Sequence, residues 1–407
     1  MSAPDTRPTP RQWVRENLFA SRAGTALTVV FTVLVGYAGY RLLWFAVVSS
    51  NWEIIRRNLR VFMVYTYPVD ELWRLWVALY ILLGLAGLFS AATAANVEFL
   101  ARAAGRDVEP RPGTIESARR YWPVLLALVV LLTQTRTWTP TLLTLGGLAI
   151  LLVARILGRS ARWLARFTWL AALVGVVVTF LVMNGPGDAE WKSWGGLLLT
   201  LYVTVAGISL SFPFGVLVAL GRRTSLPALR WITVAYIELI RGVPLVALLF
   251  FGHYVIPLFF PNTVEPPPAL ARAMIVVVLF ESAYLAEAVR GGLQSVPRGQ
   301  YEAAQAIGLG PWKVMRLVAM PQALRAVIPA LVGQFISLYK DTTLLAIIGF
   351  TEILEIAENT TSQERFLGQR LHTVTFAFAA LIFWAGSYTM SRESRRLERR
   401  LGIGERS

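Results

Sequence analysis

Apolar runs of about 20 residues, the length needed to cross a bilayer core as a helix, recur along this chain and leave it few ways to fold. Ten segments stand out: 24–48, 74–98, 121–135, 138–157, 165–184, 195–220, 229–258, 269–289, 323–350 and 373–391. The third and fourth are short and close together, so a single re-entrant hairpin is an alternative for that pair. Charged residues make up 15% of the 407, against about 25% in a typical soluble domain. The expectation is an all-α polytopic membrane protein with about ten transmembrane helices.

The net charge of +15 does not point to nucleic acid. Only Lys192, Lys313 and Lys340 are lysine, and the arginines fall mostly between the apolar runs, where orientation signals belong. With the N-terminus in the cytoplasm, the inside loops hold Arg102, Arg106, Arg111, Arg119 and Arg120, then Arg155, Arg159, Arg162 and Arg166. Arg222, Arg223 and Arg230 follow, then Arg290, Arg298, Lys313 and Arg316. The outside loops are poorer in basic residues; the exception is 49–73, with Arg56, Arg57 and Arg60. Both termini are therefore expected in the cytoplasm, with a basic tail over 393–407. Residues 1–22 lack the short apolar core and small-residue cleavage site of a signal peptide, so the first run reads as a retained helix. There is no cysteine, which excludes disulfide and thiolate chemistry. His253 and His372 are far apart in sequence and suggest no metal cluster.

The chain divides near residue 190. Residues 1–189 form a Leu/Val/Ala-rich region of about five helices with few intramembrane polar groups. Residues 190–392 carry Glu238, Arg241, Glu281, Glu287, Lys340 and Asp341 at or near membrane depth. A charge in lipid costs about 2.5–3.5 kcal/mol on the lenient scale, so such residues face protein or a water-filled path. Glu238 and Arg241, three apart, can pair on one helix, and Gly242 and Pro244 bend it at once; a transport site and a structural ion pair are both open. Glu281, Tyr284 and Glu287 are read as one polar stripe, lining a path or forming an interhelical seam. Lys340, Asp341 and Thr342 interrupt an apolar run, where the opposite charges can neutralise each other or contact a ligand.

Between 297 and 322 lies a segment of another kind. Pro297 ends one element, and Glu302 sits in the first turn of a new helix, where a carboxylate suits the dipole. Ala303, Ala304 and Ala306 are small, so another surface can approach them. Gly308 and Gly310 break the helix. Pro311 opens a second helix, with Val314, Leu317 and Val318 on one face, that is expected to stop near Pro321. An ordinary interfacial amphipathic loop and a docking element for a soluble partner are both open at this point.

Glu302-Ala303-Ala304 with Gly308 and Pro321 resembles the EAA loop of bacterial ABC-importer permeases. The stretches Trp194–Leu201, Ala219–Arg223, Tyr236–Leu245, Ala283–Glu287, Pro297–Ala304 and Lys340–Leu344 resemble the polar amino acid permeases of that family, over about residues 190–392. Thr66–Arg74 resembles the larger membrane subunit of the general L-amino acid permeases. Met320-Pro321 stands where the family pattern has Leu-Pro.

The resemblance implies a type I ABC importer transmembrane domain of about five core helices with an extra N-terminal region, in the inner membrane. It implies that Glu302, Ala303, Ala304, Gly308 and Pro321 couple to a cytosolic ATPase dimer. It further implies a second permease subunit in a heterodimer, a periplasmic or lipid-anchored binding protein, and lipid around the helices. No lysine fits Gly-x-x-x-x-Gly-Lys-Ser/Thr, so ATP and Mg belong to the partner chain and no cofactor or enzyme activity to this one. Glu238, Arg241, Pro244, Glu281, Tyr284, Glu287, Lys340, Asp341 and Thr342 are the candidates for the translocation path or a subunit interface. The competing class is an ion-gradient-driven amino acid carrier, which would use the same carboxylates but has no need of the 297–322 segment.

Overall fold

The computed structural model describes residues 10–103, 105, 119, 121–135, 137–185, 191–261, 263–369 and 371–400. Arg106, Arg111, Arg120 and residues 401–407 of the expected basic tail lie outside these. The described residues form helices joined by turns, with no strand beyond one isolated bridge between Gly196 and Glu352. Eight helices are long and apolar enough to cross a membrane, and a ninth span results if one bent pair is counted. Each of the ten apolar segments contains a helix; that at Trp122–Thr133 has only 12 residues.

Contacts divide the chain into Met1–Glu53 and Ile54–Ser407. In the first unit, α1 (Pro10–Leu18) precedes α2 (Arg22–Trp44), which is capped by Ser21 and prolonged by a π turn over Phe45–Ser49. No residue of α2 is buried, as suits a helix apolar on all sides.

The second unit opens at Ile54, inside α3 (Glu53–Val64), whose Ile54, Ile55 and Phe62 are fully buried while Arg56, Arg57 and Arg60 are exposed. α3 packs on the core: Phe62 meets Phe378 edge-on, and Asn58 and Gln363 exchange side-chain hydrogen bonds of 3.3 and 2.9 Å. α4 (Leu72–Ala103), α5 (Trp122–Thr133), α6 (Thr139–Ser160) and α7 (Thr168–Met183) follow. α4 and α6 lie close because Gly87 and Gly158 face the partner backbone; a Cβ at Gly158 would overlap the Leu88 carbonyl. Tyr80 Oη donates to the Leu143 carbonyl at 2.7 Å across the same pair.

The core comprises α8 (Gly196–Arg222), α9 (Pro227–Gly242), α10 (Leu245–Phe250), α11 (Ala269–Ser295), α12 (Arg298–Ala306), α13 (Pro311–Val314), α14 (Met320–Asp341), α15 (Ile353–Asn359) and α16 (His372–Arg400). α8 and α11 run in the same direction: Gly207 packs against Val277, and Gly215 against Leu285. Pro244 forces Val243 into extended backbone (φ −110°, ψ 132°), and the chain turns by 104° between α9 and the Leu245–Phe259 stretch. One apolar cluster joins the starts of α8 and α11 to Tyr67, Ala78 and Met183 of the preceding region. A second joins their ends to α9 and α14 through Ala219, Ile237, Leu285, Leu293 and Ala323.

Candidate functional site

At the end of the bundle where α8 and α11 finish, one carboxylate collects three guanidinium groups. Glu287 on α11 binds Arg222 from the last turn of α8 through Oε1. Its Oε2 accepts from Arg290 Nε and Nη2 at 2.9 and 2.8 Å and lies 3.9 Å from Arg241 Nη1 of α9. Arg222 also lies 3.7 Å from Glu238. The guanidinium of Arg241 sits 5.1 Å from the centre of the Tyr284 ring. Three helices thus meet at one carboxylate, α8 and α11 through charge-assisted hydrogen bonds and α9 through longer ion pairs.

This geometry corrects two local readings. Glu238 pairs with Arg222 and Arg241 approaches Glu287, so the expected pairing of Glu238 with Arg241 along α9 gives way to bonds between helices. Glu281 and Glu287 do not share a face. Six residues at 100° each leave them about 120° apart, and Glu281, 1% exposed, instead accepts a hydrogen bond of 2.9 Å from Gln334 on α14. Tyr284, between them, packs on Phe280 as well as Arg241. Arg222 and Arg290 were not singled out from sequence; the signal available was an arginine at each helix end within reach of an intramembrane carboxylate.

Lys340 acts on Asp341 as a neighbouring opposite charge, while the hydrogen bond of Asp341 goes elsewhere. Neighbours on a helix diverge; Lys340 is exposed, and Asp341 accepts from Ser337 Oγ at 3.2 Å. Thr342 is buried and donates to the Tyr339 carbonyl at 2.8 Å, where the helix tightens into a 3₁₀ run over Thr342–Ile348. Pro244 is exposed at the bend between α9 and α10.

The segment between α11 and α14 is a helix, a glycine turn and a second helix. α12 ends at a Schellman-like turn: Gly308 adopts φ +84°, and Leu309 N–H reaches the Ala304 carbonyl at 3.1 Å. Glu302 and Ala303 are exposed, whereas Ala304, 4% exposed, faces the protein itself and is not part of an outer ridge. Ile307, Trp312 and Leu317 are exposed large apolar residues; Leu317 therefore does not share the buried face of Val314. The second helix does not stop at Pro321. It continues from Pro311 to Ile348, because a π turn over Met315–Ala319, closed by Met320 N–H to the Met315 carbonyl, widens the helix just before the proline ring.

Residues 211–403 match the family model described as the binding-protein-dependent transport system inner membrane component. The inner membrane amino-acid ABC transporter permease protein YhdY of Escherichia coli (strain K12) is 34% identical over 410 residues, covering 96% of this chain and 93% of the relative. The glutamate/glutamine/aspartate/asparagine transport system permease protein BztC of Rhodobacter capsulatus is 35% identical over 428 residues, with the same coverage. The chain belongs to this family of ABC transporter permeases. A solved structure of an amino acid ABC transporter with histidines is 29% identical and covers 50% of this chain and 90% of its own, with a TM-score of 0.44. The two relatives extend over nearly the whole chain, so the family resemblance is not confined to the matched 211–403 region. The protein is a multi-pass inner-membrane permease, and the reading as an ATP-driven importer stands over the ion-driven carrier.

Proposed function

We propose that this permease carries polar or general L-amino acids inward, delivered by a periplasmic or lipid-anchored binding protein and driven by a cytosolic ATPase dimer. The names of the two full-length relatives support the substrate class. ATP and Mg are used by the ATPase; this chain supplies the path and the contact, with no cofactor or hydrolytic activity of its own. A second permease subunit completes the path as a heterodimer. Residues 190–392 act as the permease core, both termini lie in the cytoplasm, and residues 1–189 are an added membrane region in contact with lipid.

The observation that carries the reading is the exposed α12–α13 segment. Apolar Ile307, Trp312 and Leu317 stand in the open beside exposed Glu302, on a turn that needs a left-handed residue at Gly308. An exposed apolar patch rimmed by polar residues marks an interaction surface. Glu302 and Ala303 make the contact, Ala304 seats the helix on the core, Gly308 sets the angle, and Pro321 marks where the segment joins α14. Glu238, Arg241, Pro244, Glu281, Tyr284, Glu287, Lys340, Asp341 and Thr342 serve the path or the interface with the second subunit.

The test is uptake in a strain lacking the locus and complemented with variants. Glu302→Lys reverses the charge, and Gly308→Val cannot hold φ +84° without strain. Both are expected to insert normally and to lose ATP-dependent uptake; uptake at normal expression in either variant overturns the coupling assignment. Competition across a panel of L-amino acids in the complemented strain defines the substrate class.

A further inference from the structure

Two consecutive arginines close α8, and they grip different things. Arg222 binds Glu287 and reaches Glu238, so it belongs to the three-helix knot. Arg223 turns to the exposed segment. Its Nη1 donates to Tyr301 Oη at 3.3 Å and to the Leu293 carbonyl at 3.2 Å, and its guanidinium lies 5.9 Å from the centre of the Tyr301 ring. Tyr301 Oη in turn donates to the same Leu293 carbonyl at 3.3 Å. Leu293 lies in the last turn of α11, where carbonyls lack helical partners and a positive charge is favoured. The ends of α8 and α11 and the start of α12 therefore meet in one clasp.

We infer that Arg222 and Arg223 form a mechanical joint between the α12–α13 segment and the Glu287 knot, with Arg223 and Tyr301 as positioning residues for energy coupling. The inference rests on the reading of that segment as the ATPase contact. Tyr301 and Glu302 are neighbours about 100° apart on α12, the first half-buried against the core and the second exposed. A push received at Glu302 is delivered through Tyr301 to Arg223. Adjacent Cα atoms are about 3.8 Å apart across a trans peptide, so Arg223 cannot shift far without Arg222, and Arg222 carries the displacement to Glu287. A second side-chain hydrogen bond from α12 to the core, Gln322 to Gln300 at 3.3 Å, is neutral and exposed, the weaker kind of bond.

The joint makes a prediction that a merely structural clasp does not: loss of uptake per ATP. The full complex, with its ATPase and binding protein, is reconstituted in vesicles. Uptake of the L-amino acid transported fastest in the competition panel is measured alongside ATP hydrolysis in one sample. Arg223→Gln is expected to keep ATP hydrolysis but lower uptake per ATP about tenfold, equivalent to about 1.4 kcal/mol. Arg223→Lys keeps a cation over the ring and restores roughly half of that ratio. Tyr301→Phe keeps the ring, loses Oη, and lowers the ratio about threefold. An unchanged ratio, with uptake and hydrolysis falling together or not at all, overturns the joint. If Arg223→Gln does not assemble, the ratios of the Lys and Phe variants decide by the same criterion. Glu302→Lys separates the two ideas: uptake intact in that variant overturns the coupling reading itself, whereas uptake lost there with the Arg223 ratio unchanged overturns the joint alone.

Discussion

α4 against α6 and α8 against α11 both bring helix backbones together over small residues. Gly87 and Gly158 do this in the first pair, Gly207 and Gly215 in the second. The first pair ends there, with Tyr80 to Leu143 as a neutral link between helices. The second adds Arg222, Glu287 and, from α9, Arg241. In lipid the neutral solution already suffices to hold helices together, since close van der Waals packing is the main attraction. Ion pairs out of water bring a desolvation cost; the N-terminal region holds one between near neighbours, Arg74 with Glu71 at 2.9 Å, whereas those around Glu287 join different helices. The same packing device thus serves both halves, while the ion pairs that tie α8, α9 and α11 together gather on one carboxylate, Glu287.

The sharpest way to break this contrast is at its centre. Glu287→Gln keeps the size of the side chain but leaves Arg222, Arg241 and Arg290 without their shared charge. The expected loss is on the order of 2–3 kcal/mol, below the 3–5 for a fully buried pair because Arg241 and Arg290 keep solvent contact. Uptake per assembled complex is expected to fall by more than about tenfold, a change of at least about 1.4 kcal/mol in the transport barrier. Normal uptake at normal abundance would mean that the knot is scaffold like the α4–α6 pair, and the contrast would be lost.

A variant in the neutral pair should do the opposite. Gly158→Ala pushes a methyl group into the Leu88 carbonyl and forces α4 and α6 apart. Overpacking of this kind costs about 1–3 kcal/mol. Abundance or thermal midpoint in detergent should drop, while uptake normalised to the amount of folded complex stays unchanged. A fall in normalised uptake would place the N-terminal region inside the transport cycle.

The same contrast explains what could be read in advance. Long apolar runs and flanking arginines locate helices and loops, because bilayer thickness and orientation act on composition alone. The glycine turn at 308 was legible for a similar reason: the constraint is local to the chain. Partner choice among charges was not. Arg222 meets Glu287 across 65 residues, and local spacing pointed instead to Glu238 with Arg241. The continuation past Pro321 depends on a π turn whose five residues, Met315–Ala319, contain no glycine or proline to mark it. The clasp at Arg223 was hidden because Tyr301 looks like any helix-surface tyrosine until Leu293 is placed beside it.

The smallest effect is expected at the seam between the two regions. Gly196 N–H donates to the Thr351 carbonyl at 2.9 Å, and a Cβ at Gly196, which has φ +59°, would overlap the Phe62 carbonyl of α3. Beside this contact, fully buried Glu352 caps α15, its two oxygens accepting from Leu354 and Glu355 N–H at 2.8 Å each. Burial pushes its carboxyl from the ordinary value near 4.5 up to about 7, with the two backbone donors opposing the shift. A carboxyl raised in the folded state holds a proton that the unfolded chain has released. The folded protein is therefore most favoured below about pH 4.5 and loses that advantage as the pH rises to about 7, by roughly 3 kcal/mol at most. Glu352→Gln should flatten this slope in the thermal midpoint between pH 5 and 7. It keeps one acceptor and loses the other, a cap cost of about 1 kcal/mol that is smaller than the roughly 3 kcal/mol relief of the buried charge above pH 7, so the midpoint there should rise modestly. A slope that persists in the Gln variant would assign the pH dependence to groups away from the seam.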